Sequence, residues 1–195
     1  MARVFLAGIV VEGRRCVVFG GDGEAHAKAR ALAEAGADLT VVAPDIGDPE
    51  FGAWLRAGGG RWSNEVPRID QAEGAFLVVS AIRDEVWSQA LFARATAPGG
   101  FLVCCIDQPA YCTFTNVATV RRGPMQIGIS SDGAAPMLAA RMRESLAAGL
   151  DDEFVRLAER LASLRTETDP ARRREVLARA LDGFAMEVRV GVPKP

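Results

Sequence analysis

Along the first part of the chain, short continuous apolar runs alternate with longer amphipathic stretches, the pattern of a parallel sheet covered by helices. Arg15-Cys16-Val17-Val18-Phe19 predicts a buried strand ending at Gly20-Gly21, with Asp22 and Gly23 next. Residues 25–35, rich in Ala, Leu, Lys, Arg and Glu, predict a helix stopped by Gly36. Residues 39–42 predict a second strand closed by Ala43-Pro44-Asp45, and residues 51–57 a helical segment ended by Gly58-Gly59-Gly60. A strand over 76–80, a helix over 84–95 and a strand over 101–106 follow, the last running into Asp107-Gln108-Pro109. Beyond residue 114 the pattern changes. Residues 116–121 and 125–130 predict a hairpin around Arg122-Gly123-Pro124, and Ser130-Ser131-Asp132-Gly133 leads to a helix whose first turn holds Pro136. From Asp151 the chain reads as helical with a break near Thr168-Asp169-Pro170. Phe154, Leu157, Leu161 and Leu164 recur at helical spacing and form an apolar face that needs a partner surface. The tail from Gly191 to Pro195 is expected to fray.

With 195 residues, 49% of them hydrophobic, the chain can bury one sizeable core and carry an appendage. A net charge of −2 offers no global positive field, so neither nucleic acid nor an anionic membrane is an expected partner. No apolar run reaches the roughly 20 residues that span a bilayer. The start, Met1-Ala2-Arg3, precedes no signal-like apolar region before Glu12 and Arg14, so a cytoplasmic location is expected. Cys16, Cys104 and Cys105 lie in apolar runs and read as buried small hydrophobes; together with Cys112 and the single histidine, His26, they lack zinc-ligand spacing.

The candidate chemistry begins at Gly20-Gly21-Asp22-Gly23-Glu24-Ala25, where a strand, a glycine turn and a helix start follow one another. Such a turn aims backbone N–H groups at a pyrophosphate, although it equally describes a tight turn without a ligand. A strict G-x-G-x-x-G is absent. Reading from Gly21 leaves His26 at the third glycine position, and reading from Gly20 puts Asp22 at the second. Either Asp22 or Glu24 would repel phosphate unless turned away. Asp45 follows the second strand, where an acidic residue recognising ribose and an ordinary loop residue would both fit. Arg30 is a weaker cofactor cue on a face that solvent would also suit.

Several segments resemble the sirohaem synthase N-terminal module, also called the precorrin-2 dehydrogenase family. They are Gly20-Gly21-Asp22-Gly23-Glu24-Ala25-His26-Ala27-Lys28-Ala29, Glu34-Ala35-Gly36-Ala37, Leu39-Thr40-Val41-Val42-Ala43-Pro44, Ile106-Asp107-Gln108-Pro109 followed by Phe114, and Ser130-Ser131-Asp132-Gly133-Ala134-Ala135-Pro136-Met137-Leu138-Ala139. The resemblance runs in order from about residue 3 to 165. It departs at Asp22, where the family has glycine, at Ala81-Ile82-Arg83-Asp84, where it has Ala-Thr-Asp-Asp, at Cys104 for asparagine, and at Val117 for proline.

The resemblance implies an α/β fold: a Rossmann-type parallel-sheet NAD-binding domain over 1–114, a dimerisation hairpin-plus-helix unit over 115–146 and a small helical domain over 147–195. It implies a homodimer that oxidises precorrin-2 to sirohydrochlorin with NAD and, as in some members, inserts ferrous iron to give sirohaem. Asp107 is the implied catalytic base and a transient metal ligand, though an Asx-turn before Pro109 would also explain it. Gly20, Gly21, Asp22, Gly23, Glu24, Ala25, Pro44, Asp45, Ser80 and Ala81 are the expected cofactor contacts. Ser130, Ser131, Gly133, Pro136 and Met137 are expected at the tetrapyrrole, with Ser131 phosphorylated in some members; the serines would also serve as helix caps. Arg121, Arg122, Arg141 and Arg143 are candidates for substrate carboxylates or a solvated face. Two other readings use the same residues. One is a chelatase or tetrapyrrole-binding protein that has lost NAD-dependent dehydrogenation, which the departures at Asp22, Ile82 and Arg83 favour. The other is a nucleotide-sensing module without chemistry.

Overall fold

The computed structural model describes residues 4–191, which divide into compact units between Asn116 and Val117. The Met1-Ala2-Arg3 start and the tail beyond Gly191 lie outside the described residues. The first unit is built from β1 (Arg15–Phe19), α1 (Gly23–Glu34), β2 (Asp38–Val42), α2 (Pro49–Trp54), β3 (Arg61–Ser63), β4 (Leu77–Ser80), α3 (Glu85–Thr96) and β5 (Leu102–Cys105). A π turn, Leu55–Gly59, extends α2, and 3₁₀ turns occupy Ile69–Ala72 and Pro109–Tyr111. All strand pairs are parallel, in the order β3-β2-β1-β4-β5, which is the Rossmann-type sheet expected from the apolar runs.

The continuous apolar runs exist because the sheet is covered on both faces. Successive residues of β1 point to opposite sides, and Cys16, Val17, Val18 and Phe19 are all fully buried. Cys16 and Val18 join Val41, Leu77 and Val79 under Ala25 and Ala29 of α1 and Phe51 of α2. Val17 and Phe19 join Val42, Val78 and Val103 under Leu91 and Ala95 of α3. Burying a side chain of this size stabilises the fold by about 1.5–3 kcal/mol. Helices therefore leave the central strands toward opposite faces, which opens a crevice at the strands' C-terminal ends.

In the second unit β6 (Ala118–Arg122) and β7 (Met125–Ile129) form an antiparallel hairpin, with Val120 opposite Ile127 and Gly123 turning at φ +53°. Then come α4 (Pro136–Gly149), α5 (Asp152–Glu167) and α6 (Arg173–Ala180). Asp151 caps α5 by accepting from the Phe154 N–H at 2.9 Å. The Arg122 guanidinium donates to the Ala147 carbonyl at 2.7 Å and ties the hairpin to the end of α4. The apolar face anticipated on α5 finds its partner within this unit. Phe154, Leu157 and Leu161 line a cavity of about 390 Å³ with Met125 of the hairpin and Leu177, Leu181 and Phe184. Among the described residues, no helix is long and apolar enough to cross a membrane.

Candidate active site

At the C-terminal ends of the central strands, Phe19 of β1 stands beside Ser80 of β4. The turn after β1 therefore lies against the segment after β4, at the point where strand order reverses and α/β sheets bind their ligands. Gly20 has φ +124°, and a Cβ there would come within 2.9 Å of the Ala81 Cβ. Gly21 is needed for a different reason: its Cβ would lie 2.1 Å from the Asp45 carbonyl oxygen. The second glycine thus admits the chain's own loop after β2.

Asp22 is the N-cap of α1, and its Oδ1 accepts from the Ala25 N–H at 2.8 Å. It thereby supplies a negative oxygen to the helix N-terminus. The His26 N–H goes to the Asp22 carbonyl at 2.9 Å. The Gly23 and Glu24 N–H groups, also in the first turn, have no partner within the helix.

Arg83, just after β4, gathers the loops of the crevice. Its Nε donates to Asp107 Oδ2 at 3.2 Å, its Nη1 to Asp22 Oδ2 at 3.4 Å, and its Nη2 to Glu24. The hydrogen bond to Asp107 and the charge of Glu24 push the guanidinium pKa up, so it stays cationic. Asp107 follows β5 and sits in the left-handed region at φ +62°, which is uncommon for a residue other than glycine. The Asx-turn alternative does not form: the Asp107 carboxylate goes to Arg83, and the local turn is made by the Gln108 N–H donating to the Cys105 carbonyl at 3.1 Å. The turn, Arg83 and Asp107 are thus brought together at one edge of the sheet.

The other expected cofactor residues are spread around this centre. Pro44 and Asp45 are exposed beside the Gly21 turn, and Ala81 lies under Gly20. Ser80 is fully buried, and its Oγ accepts from Trp87 Nε1 at 3.0 Å, so its side chain serves packing. His26, at the third glycine position, points away from the turn. It stacks on Phe51 at 4.8 Å, and its Nδ1 meets Asp48 Oδ2 at 3.0 Å. Desolvation works to raise the Asp48 pKa, but the His26 hydrogen bond and the Glu50 and Phe51 N–H groups outweigh it and hold the carboxyl low. Arg30 faces solvent beside Glu34. Among the described residues, no three His, Cys, Asp or Glu side chains gather as metal ligands. A surface depression of about 650 Å³ near Trp54, Gly60 and Arg61 lies toward the opposite ends of the strands and holds none of the expected residues.

In the second unit, Ser130 Oγ accepts from the Asp132 N–H at 3.1 Å and Ser131 Oγ from the Ala135 N–H at 3.1 Å. The N-cap of α4 is Ala135, so the serines order the loop before the helix and do not cap it. Gly133 turns at φ +77°, Pro136 opens the helix, and Met137 is 82% exposed. Arg141 and Arg143 pair with Glu144, and Arg121 is exposed.

A contact that sequence reading missed joins Cys104 and Cys112, whose sulfurs are 3.9 Å apart. Asn116 Nδ2 donates to Cys104 Sγ at 3.2 Å. The Cys112 hydrogen bond and burial push the Cys104 thiol up, whereas hydrogen bonding from Cys104 outweighs burial and brings Cys112 down to about 7.

Comparison with known proteins gives this geometry a context. A family described as "Putative NAD(P)-binding" matches residues 8–118, and one described as "Sirohaem biosynthesis protein central" matches residues 122–148. Siroheme synthase 2 of Halorhodospira halophila is 34% identical over 151 residues, covering 76% of this chain and 30% of the relative. Siroheme synthase of Pseudomonas entomophila is 37% identical over 155 residues, covering 80% of this chain and 33% of the relative. The chain therefore spans about a third of the length of these curated relatives. Among solved structures, "SirC, precorrin-2 dehydrogenase" superposes with a TM-score of 0.77 at 23% identity, covering 92% of this chain and 90% of that one, a likeness of fold.

Proposed function

Because the chain belongs to the NAD(P)-binding family whose signature spans residues 8–118, we propose that it oxidises precorrin-2 to sirohydrochlorin with NAD. The observation that carries this reading is the convergence of Asp107, Arg83 and the Gly20–Gly23 turn at one sheet edge, in a chain that aligns with siroheme synthases. The crevice suits a dinucleotide. The Gly23 and Glu24 N–H groups point from the start of α1 and would hold the pyrophosphate, and the Arg83 guanidinium lies beside them. Exposed Asp45 after β2 favours NAD over NADP, since a carboxylate suits ribose hydroxyls and repels a 2′-phosphate. When bound, the cofactor supplies the hydride acceptor.

Oxidation removes a hydride and a proton from the tetrapyrrole, so the protein must supply a base. Asp107 suits this: Arg83 occupies Oδ2, and Oδ1, which has no hydrogen-bond partner among the described residues, can accept the proton. The same carboxylate, receiving pyrrole protons in turn, would support insertion of ferrous iron as a second substrate. In the second unit, the Ser131 hydroxyl accepts from Ala135 and keeps its own hydrogen for an acceptor, which suits a substrate carboxylate; Ser130 gives its hydrogen to Asp132 at 3.2 Å. Gly133, Pro136 and Met137 would line that contact. Met137 and Leu138, 82% and 61% exposed, and Met142, one turn beyond Leu138, form an apolar strip on α4 that supports homodimer formation. A cytoplasmic location accords with this chemistry.

Anaerobic incubation with precorrin-2 and NAD, followed by absorbance, is expected to give NADH and sirohydrochlorin in equal amounts. A second reading, chelation or tetrapyrrole binding without NAD, is favoured by the Asp22 carboxylate that already occupies the start of α1. Iron insertion without NADH formation would select it.

A further inference from the structure

Resting on that reading, we propose that Arg83 is a positioning residue that makes an acidic nucleotide turn compatible with a dinucleotide and holds the base Asp107. Its three nitrogens each take a different carboxylate, from the β1 turn, the first turn of α1 and the segment after β5. Without Arg83, Asp22, Glu24 and Asp107 would present three negative charges, with no cation bonded to them among the described residues, where a dinucleotide brings two phosphates. Arg83 can hold all three carboxylates because a planar guanidinium donates in several fixed directions, which an ammonium on a flexible stem does not.

Stability does not account for the cluster. Arg83 is half exposed, and the carboxylates range from 47% to 67% exposed, a setting in which ion pairs contribute little to folding. Asp107 is the most exposed of them, yet its backbone is held at positive φ and Arg83 is its side-chain partner. The arrangement constrains one oxygen of the base while leaving the other open. It also explains how Asp22 can stand in a nucleotide turn: its helix-capping oxygen stays on the Ala25 N–H, and Arg83 offsets the other.

A double-mutant cycle on the full chain separates these roles. NAD affinity is measured by calorimetry, and kcat and KM for precorrin-2 oxidation are measured in parallel, for Arg83→Gln, Arg83→Lys, Asp22→Asn and the Gln/Asn pair. Asn is chosen because it retains helix capping. Arg83→Gln is expected to weaken NAD binding about tenfold in the parent and only about threefold to fivefold beside Asn at position 22, where Glu24 and Asp107 still lose their cation. It is also expected to lower kcat in both backgrounds, because Asp107 loses its partner in each. Arg83→Lys should recover part of the affinity and little of kcat, and melting temperatures should hardly move. Equal effects of Arg83→Gln on NAD affinity in the two backgrounds, or unchanged affinity and kcat, would overturn the proposal, as would absence of NAD binding by the parent. NAD binding and charge coupling without precorrin-2 turnover would overturn the functional reading and leave the cofactor role of Arg83 standing.

Discussion

Replacing Asp22 by glycine tests how the nucleotide turn works, because two opposing consequences can be worked out separately. The carboxylate takes the Ala25 N–H through one oxygen and Arg83 through the other. A phosphate reaching the Gly23 and Glu24 N–H groups would approach it to about 5 Å, a repulsion of about 2–3 kcal/mol at an effective dielectric of ~20–40. Arg83 offsets part of this, leaving about 1–2 kcal/mol, or roughly tenfold or more in affinity. Against that, exchanging an aspartate N-cap for glycine costs only a few tenths of a kcal/mol in helix stability. Asp22→Gly should therefore bind NAD about tenfold more tightly by calorimetry, with a melting temperature lowered by about 1 °C. The gain should shrink as salt rises, since the charge it removes is partly exposed. Unchanged or weaker NAD binding would refute the reasoning and assign Asp22 a part in holding the cofactor.

Asp107→Asn should lower turnover by ~100-fold or more without weakening NAD binding or lowering the melting temperature, because asparagine tolerates φ +62° but cannot serve as the base; steady-state kinetics at saturating substrates would reveal retention of activity, which would exclude Asp107 as the base. Gly21→Ala places a Cβ against the Asp45 carbonyl oxygen, so urea unfolding should report a loss of about 1–3 kcal/mol, and an unchanged midpoint would show that the loop yields freely. Cys112 should be the first cysteine alkylated by iodoacetamide. Its pKa is lowered to about 7, so the reactive thiolate grows as pH rises through that value, whereas burial pushes Cys16 to about 11. A labelling midpoint at pH 8.5 or above would count against the Cys104 contact.

The central sheet was legible because each inner strand is buried on both faces and so carries an unbroken apolar run, as in Cys16-Val17-Val18-Phe19. Strand β3 was not. Arg61-Trp62-Ser63 pairs on one side only, with Thr40, Val41 and Val42, and its polar, partly exposed residues look like loop. Asp107 could be singled out from its place after a strand and its match to a family motif. The role of Arg83 could not: it appeared only as a departure from that motif, because its three partners come from separate segments that meet only when the sheet folds. His26 was legible as a misfit in the glycine pattern, but its stacking on Phe51 depends on where α2 crosses α1. The Cys104 and Cys112 contact likewise requires the chain to reverse through the Pro109–Tyr111 turn.

That reversal also governs how the molecule can associate. An open sheet ends in strands whose outward N–H and C=O groups invite another chain to pair, the usual beginning of uncontrolled aggregation. On the β5 side, the Val103 carbonyl is taken by the Thr113 N–H at 2.8 Å and the Val103 N–H by Thr113 Oγ1 at 2.8 Å. Immediately beyond, the Cys105 carbonyl accepts from the Gln108 N–H at 3.1 Å. The returning segment thus seals that margin without contributing a strand. The opposite margin, β3, is only three residues long and begins at Arg61, which is held by Asp38 at 2.8 Å. A short, charged margin on one side and a plugged one on the other give the sheet little to offer a stray strand. Self-association of this unit would have to be won through side-chain surfaces, where specificity can be encoded, instead of through the indiscriminate backbone.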